Sequence, residues 1–515
     1  MNIAFIPIDN RPVCYTLPEQ VCAINSSINL FMPERKYLGS LTKYADVDKI
    51  FDWLEKIPQV DAIVMCLDTV AYGGLISSRR CPDSFDEIKN RVENLKSILE
   101  KKNAKIYAFS SIMRISNNNV NEEEKEYWDK WGKKIFDYSY QTHKLGTESC
   151  ISNIIPSEIL DDYLATRKRN FEINKLYLEY QKQGLFDTLV FSKDDCAEYG
   201  FNVQEAQALE KLGGFIKTGA DEIPLTLLAR AVVKFFDARM QRCKDVKSFT
   251  EPVAQSRHCE CERSNPVNSK VLGRDYCLDD ETSLKISPIF LAPEYKDLIS
   301  NYEDVSIEKS VKGQLELAGC KVCEPDEADI LLYVNNFEDH QGEIVMKVPT
   351  KPFSKKWQRP EKPYMIADVR YANGADNEFV KQLFEVGLGD NFYGYSAWNT
   401  SANSLGSLIC GAVVKFFNAR MQRCQNDNSK TVARDYYPDN KNENFLKLQA
   451  IRFLDDWAYQ ANVRQELNSP DEKLVKEKMK PYEKMVFGLL GVAYNISYKF
   501  TWNRLFEVEI CILSN

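Results

Sequence analysis

Histidine is nearly missing from this chain, with three in 515 residues: His143, His258 and His340. None stands in the polar motifs described below, so neither a Ser-His-Asp hydrolase nor a His-rich zinc site is expected. Long apolar runs are missing too. Stretches such as Asp61 to Leu67 fall far short of the ~20 residues that span a bilayer. The N-terminus, MNIAFIPIDNRP, leads directly into a strand and shows none of the features of a secretory signal. A cytoplasmic chain with no membrane partner is the expectation. There is no basic excess. The net charge of −8 speaks against the basic face that a nucleic-acid partner requires. The usual nucleotide loops are absent: Gly73–Gly74 lacks a following Gly-Lys-Ser/Thr, and no GxGxxG follows the first strand. The fifteen cysteines are scattered, mostly in apolar segments, which suits buried thiols better than a disulfide framework. Cys320 and Cys323 have no matching second pair, and Cys259 and Cys261 fall in a presumed insert, so zinc is not expected.

What is present is strand–helix alternation. Apolar runs rich in β-branched and aromatic residues occur at Ile3–Ile8, Ala62–Leu67, Lys105–Ser110 and Thr188–Ser192, and again at Pro288–Leu291, Ile330–Val334, Tyr364–Ala367 and Phe392–Tyr395. Helical patterns lie between them, for example Phe85–Lys101, Pro156–Gln183, Ile307–Ala318 and Ser404–Gln422. This predicts an α/β fold in which parallel sheets with flanking helices form two lobes. The first lobe covers 1–243 and the second 285–440. A C-terminal segment, 441–515, should hold a long helix (Asn444–Leu467) and a β-hairpin within Ala493–Leu513.

Two segments are almost identical: AVVKFFDARMQRC (Ala231–Cys243) and AVVKFFNARMQRC (Ala412–Cys424). Their flanks do not match, which reads as recent copying of sequence and not as a repeat period. The stretch 244–284 reads as an insert and linker. Its core, Lys244–Asn268, has no apolar periodicity and is expected to be a disordered surface loop.

Polar clusters follow the predicted strands, where open α/β sheets place their ligands. They are Asp9–Asn10–Arg11; Asp68 with Tyr72 and Arg79; Ser110–Ser111 with Arg114; Asp194–Asp195; Asp221–Glu222; Asp368 with Arg370 and Asn373; and Trp398–Asn399 with Asn403. One Asp after a strand is ordinarily an N-cap or turn residue. Seven such clusters, several joining a carboxylate to an Arg or an amide, point instead to a site for a polyhydroxylated or anionic ligand. The arginines could equally be engaged in surface ion pairs.

The blocks IAFIPIDNRPVCYTLP, LDTVAYGGLISSR, YAFSSIMR, KDDCAEYG, GADE, IADVRYANGAD, WNTSANSLG and RFLDDWAYQANVR together resemble the bacterial domain-of-unknown-function family 4127. The resemblance runs in order from Ile3 to about Glu507. It implies family membership and no particular chemistry.

With few histidines and many acids, carboxylate chemistry remains. Two carboxylates suffice for glycoside hydrolysis, and the acid–base pair is expected among Asp194, Asp195 and Asp368. Substrate contacts are expected from Asp9, Arg11, Asp68, Tyr72, Arg79, Arg114, Asp221, Glu222, Arg370, Asn373, Trp398, Asn399 and Asn403. No metal ligand or cofactor is assigned, although clustered acids can hold Mg²⁺ or Mn²⁺. The leading expectation is a hydrolase acting on a carbohydrate or similar polar small molecule. The alternatives are a non-catalytic binding protein and a divalent-metal-dependent hydrolase.

Overall fold

The computed structural model describes residues 1–194, 197–248, 284–426 and 442–513. Asp195 and most of the expected insert lie outside these residues. The helix preceding the insert, Ile223–Ser248, runs past Cys243 into the stretch expected to be a disordered loop.

The first half forms a six-stranded parallel sheet from β1 (Asn2–Ile6), β2 (Asn29–Phe31), β3 (Ala62–Cys66), β4 (Lys105–Ile112), β5 (Thr188–Lys193) and β6 (Phe215–Thr218). Their order is β2-β1-β3-β4-β5-β6. The second half begins with β7 (Lys285–Phe290), β8 (Lys321–Val322) and β9 (Ile330–Asn335). It continues with β10 (Gly342–Glu343), β11 (Tyr364–Asp368), β12 (Tyr371–Ala372) and β13 (Phe392–Ser396). Five of these make a second parallel sheet in the order β8-β7-β9-β11-β13, and β10 pairs with β12 beside it. Counted from its own first strand, the first sheet runs 2-1-3-4-5-6 and the second 2-1-3-4-5, so each has a topological switch point at which the chain leaves in opposite directions from neighbouring strands. The expected α/β class with parallel sheets and flanking helices is what the molecule has.

The central strands are apolar on both faces because helices cover both. Every residue of β3, AIVMC, is buried, as is every residue of β11, YMIAD. The two near-identical segments lie on the helices that follow the last strand of each sheet, Ile223–Ser248 and Ser401–Asn426, and these helices pack against each other. Matching residues of the two copies meet: the rings of Phe236 and Phe417 stack 5.2 Å apart at 16°. Both are buried in one core that continues from sheet to sheet. The copied sequence therefore forms the seam between two halves of like topology.

The expected C-terminal helix is only partly α-helical. An α-helix spans Glu443–Arg452, the backbone widens to a π-helix over Phe453–Asn462, and a 3₁₀ turn follows at Val463–Glu466. Runs of π-helix this long are rare, and shorter ones cluster at functional sites. The hairpin is present as β14 (Asn495–Phe500) and β15 (Val508–Leu513), antiparallel. No helix among the described residues is long and apolar enough to cross a membrane.

Candidate functional site

The loops at the carboxyl ends of both sheets meet, and with the tip of the C-terminal hairpin they enclose a cavity of about 530 Å³. Arg11, Arg114, Asp194 and Asp221 come from the first half, and Asn373 and Asn399 from the second. The π-helical segment and its 3₁₀ end bring Arg464, while the hairpin tip brings Arg504 and Phe506. A cavity of this size is ordinary for a small metabolite.

Arg11 organises one wall. Its Nε donates to both oxygens of Asp9 at 3.0 and 2.9 Å. Its Nη1 and Nη2 donate to Asp221 at 3.2 and 2.5 Å, and Nη1 also reaches Glu507 Oε1 at 3.0 Å. The guanidinium stacks on Trp502, 5.1 Å from the ring centre. All three carboxylates are largely withdrawn from water, and one guanidinium neutralises only one of them. Burial outweighs Arg11 and lifts Asp9 above its ordinary value. It lifts Glu507 to about 7 against the pull of Arg11 and Arg504.

A second network is joined to the first through Arg504, which lies 3.6 Å from Glu507. Glu123 accepts from Arg114 at 2.9 Å and from Arg504 at 2.7 Å. Glu124 accepts from Arg79 at 3.0 Å and from Arg114 at 3.2 Å. Burial opposes ionisation of Glu123, but Arg114, Arg79 and Arg504 together hold it well below the usual carboxylate range. Asp194 stands 3.8 Å from Arg114, with its side chain 28% exposed.

Arg464 differs from the other cavity arginines. It donates to the amide oxygen of Gln460 at 2.8 Å and stacks on Phe506, 5.3 Å from the ring centre. Among the described residues it has no carboxylate partner, and burial lowers its proton affinity. Among the described residues Arg504 Nε and Nη2 make no hydrogen bond, although Nη2 lies 3.6 Å from Glu507. Backbone strain concentrates at the same place. Tyr302, Asn373 and Asn399 line the cavity with φ of 67°, 59° and 58°. Trp502 and Asn503, just before Arg504, have φ of 58° and 54°. Non-glycine residues adopt this region at a cost and gather at ligand sites.

Other expected site residues lie off the cavity. Asp9 and Glu507 stand behind Arg11. Asp68 is fully buried and accepts from the Ser111 amide and hydroxyl, both at 2.8 Å; burial raises it to about 6. Asp368 is 1% exposed and accepts from Asn335, Tyr395 and the Asp376 amide. Burial, then Asp376, raises it to about 7. Arg370, beside it, donates to Asn335 at 3.1 Å and to the Lys351 carbonyl at 2.8 Å. These three residues brace strand ends instead of facing the cavity. Tyr72 is buried under the Arg169 guanidinium, and Arg79 is reached only through Glu123 and Glu124. Trp398 packs on Phe506, and Asn403 is buried against Gly219. Glu222 is 1% exposed, and neither of its carboxylate oxygens is hydrogen-bonded, so burial holds it strongly towards the neutral form. Glu123, Arg464, Arg504, Phe506 and Glu507 were not anticipated. For the last four, charged residues inside otherwise apolar blocks, RFLDDWAYQANVR and NRLFEVEI, were the available signal; Glu123 lies in a polar run, NEEEKE, that offered none.

Among the described residues no group of three or more His, Cys, Asp or Glu side chains is disposed to hold a metal ion. The model of the family described as "Protein of unknown function (DUF4127)" matches residues 3–511. The chain belongs to that family. No curated protein and no solved structure matches it.

Proposed function

We propose that the chain binds a small, anionic, hydroxyl-rich molecule of the acidic-sugar or sugar-phosphate class in the cavity between its sheets, and hydrolyses it. One observation carries the binding: Arg464 faces the cavity with no carboxylate partner among the described residues. A partly buried guanidinium without a counter-ion is satisfied best by an anion from outside. Asn373, Asn399 and Thr400, also in the lining, suit hydroxyl groups. Phe506 offers an apolar face. In the hydrolytic reading Asp194 protonates the departing oxygen as the bond to carbon breaks. Asp221, fixed by two donors of Arg11, takes a proton from the attacking water. A second reading, binding without turnover, is favoured by the placement of arginines beside both acids: Arg114 by Asp194 and Arg11 by Asp221.

Calorimetry with matched neutral and acidic ligands tests the class. A hexuronate or hexose phosphate should bind at least about tenfold more tightly than the parent hexose, a difference of ~1.4 kcal/mol. Equal affinities would remove the anionic part of the proposal. Asp194→Asn, at a partly exposed position, should change stability by no more than about 0.5 kcal/mol. It should keep binding and abolish turnover of whichever glycoside or phosphoester the wild type cleaves. Turnover that survives in Asp194→Asn would remove Asp194 as the acid, and a wild type that binds these ligands but cleaves none would leave the binding reading alone.

A further inference from the structure

We infer a second anion site in a separate cavity at the seam of the two halves, where Lys217 and Lys309 would hold the phosphate or carboxylate of a small molecule. This cavity measures about 410 Å³. The ends of β5 and β6 and the helix Phe201–Lys211 form one side, and the helix Ile307–Leu317 forms the other. Its cations are unequally matched. Lys193 is paired with Asp304, which also accepts from the Thr218 hydroxyl at 2.7 Å. That pairing occupies the partly buried acid of the lining, and the other carboxylate, Glu210, is exposed. Lys217 is partly buried and has no hydrogen bond or ion pair among the described residues; its amine lies 4.9 Å from the centre of the Phe215 ring. Lys309, exposed on the facing helix, also has no side-chain ion partner there.

The facing helix makes room for the Lys217 amine. Gly313 lies within it, and a Cβ at that position would stand 2.7 Å from Lys217 Nζ. Glycine inside a helix costs roughly 1 kcal/mol relative to alanine, and a methyl here would displace the end of the Lys217 side chain. An amine in a partly dry cavity without a bonded counter-ion is unfavourable, and burial lowers the proton affinity of Lys217 against the weaker, opposing pull of Glu316. An incoming anion would reverse this penalty. Both halves contribute one lysine, so the ligand would bridge the seam.

Pyrophosphate, inorganic phosphate and citrate, titrated calorimetrically into the full chain, test the site. At least one should bind, and the same binding should persist in Arg464→Ala, which alters only the other cavity. Lys217→Met should weaken it about tenfold or more, ~1.4 kcal/mol. Gly313→Ala should weaken it as well, by crowding the amine without changing charge. Lys309→Ala, at an exposed position that leaves folding intact, should weaken it several-fold. Absence of binding by all three probes at about 10 mM, or unchanged affinity in both Lys217→Met and Lys309→Ala, would overturn the inference.

Discussion

Arg11→Ala is expected to lower the free energy of unfolding by at least about 3–5 kcal/mol, the usual cost of removing one partner from a buried ion pair. The effect should sit at the upper end of that range because Arg11 serves three carboxylates. Asp9, Asp221 and Glu507 all accept from this one guanidinium, and all three are largely withdrawn from water. Against a total stability of ~5–15 kcal/mol, the loss takes up much of the margin. It should shrink on acidification. Without the cation the three acids regain neutrality by protonation, which becomes easier as pH falls. Urea unfolding of wild type and variant at pH 7.5 and 5.5 measures this. A loss below about 1 kcal/mol at pH 7.5, or one that grows at pH 5.5, would show that Arg11 does not hold the three acids together.

The second large effect is on pH dependence. Asp68 is raised to about 6, and Asp368, Glu303, Asp455 and Glu507 each to about 7, with burial the leading cause in every case. In the unfolded chain these groups titrate near 4. Between about pH 4 and 7 the folded chain therefore holds protons that the unfolded chain has released, and stability falls as pH rises through that window. Glu123 acts in the opposite sense. Its ionised form is favoured by folding, so its contribution is present above about pH 4 and lost below. The two tendencies place the stability maximum at about pH 4. From there to pH 8 the unfolding free energy should drop by at least about 3 kcal/mol, since each tenfold change in proton affinity is worth ~1.4 kcal/mol. Asp368→Asn, which keeps an acceptor but cannot ionise, should flatten part of the slope. A profile that is level or rises between pH 5 and 8 would contradict the assignment of these acids as proton-binding in the fold.

The parts of this molecule that could be read in advance are those encoded locally. β3 and β11 are continuous apolar runs because helices cover both faces of their sheets, and such runs stand out in any window. β2 and β8 have three and two residues, too few for a pattern, and β6, FIKT, is only partly buried and half polar. The strand-end rule located Arg11, Arg114, Asp194, Asp221, Asn373 and Asn399 at the cavity because parallel strands deliver their carboxyl ends to one side. It could not separate them from Asp68 and Asp368, which occupy similar positions yet turn inward to amides and hydroxyls. Arg464 and Arg504 escaped because they reach the cavity from the C-terminal segment, by contacts spanning hundreds of residues, such as Arg504 with Glu123. The widening of the helix at Phe453 has no local signal in propensity.

The central claim is that Arg464 is kept without a carboxylate partner so that a ligand anion can take that place. Calorimetric titration of wild type and Arg464→Ala with the tightest-binding acidic ligand of the panel tests it directly. Among the described residues the Arg464 side chain bonds to Gln460, rests on Phe506 and makes no salt bridge, so its removal should not unfold the chain. The expected result is a loss of ~2 kcal/mol or more in binding, about thirtyfold, with affinity for the neutral parent hexose unchanged and the thermal midpoint close to wild type. Equal affinity of wild type and Arg464→Ala for the acidic ligand would contradict the account.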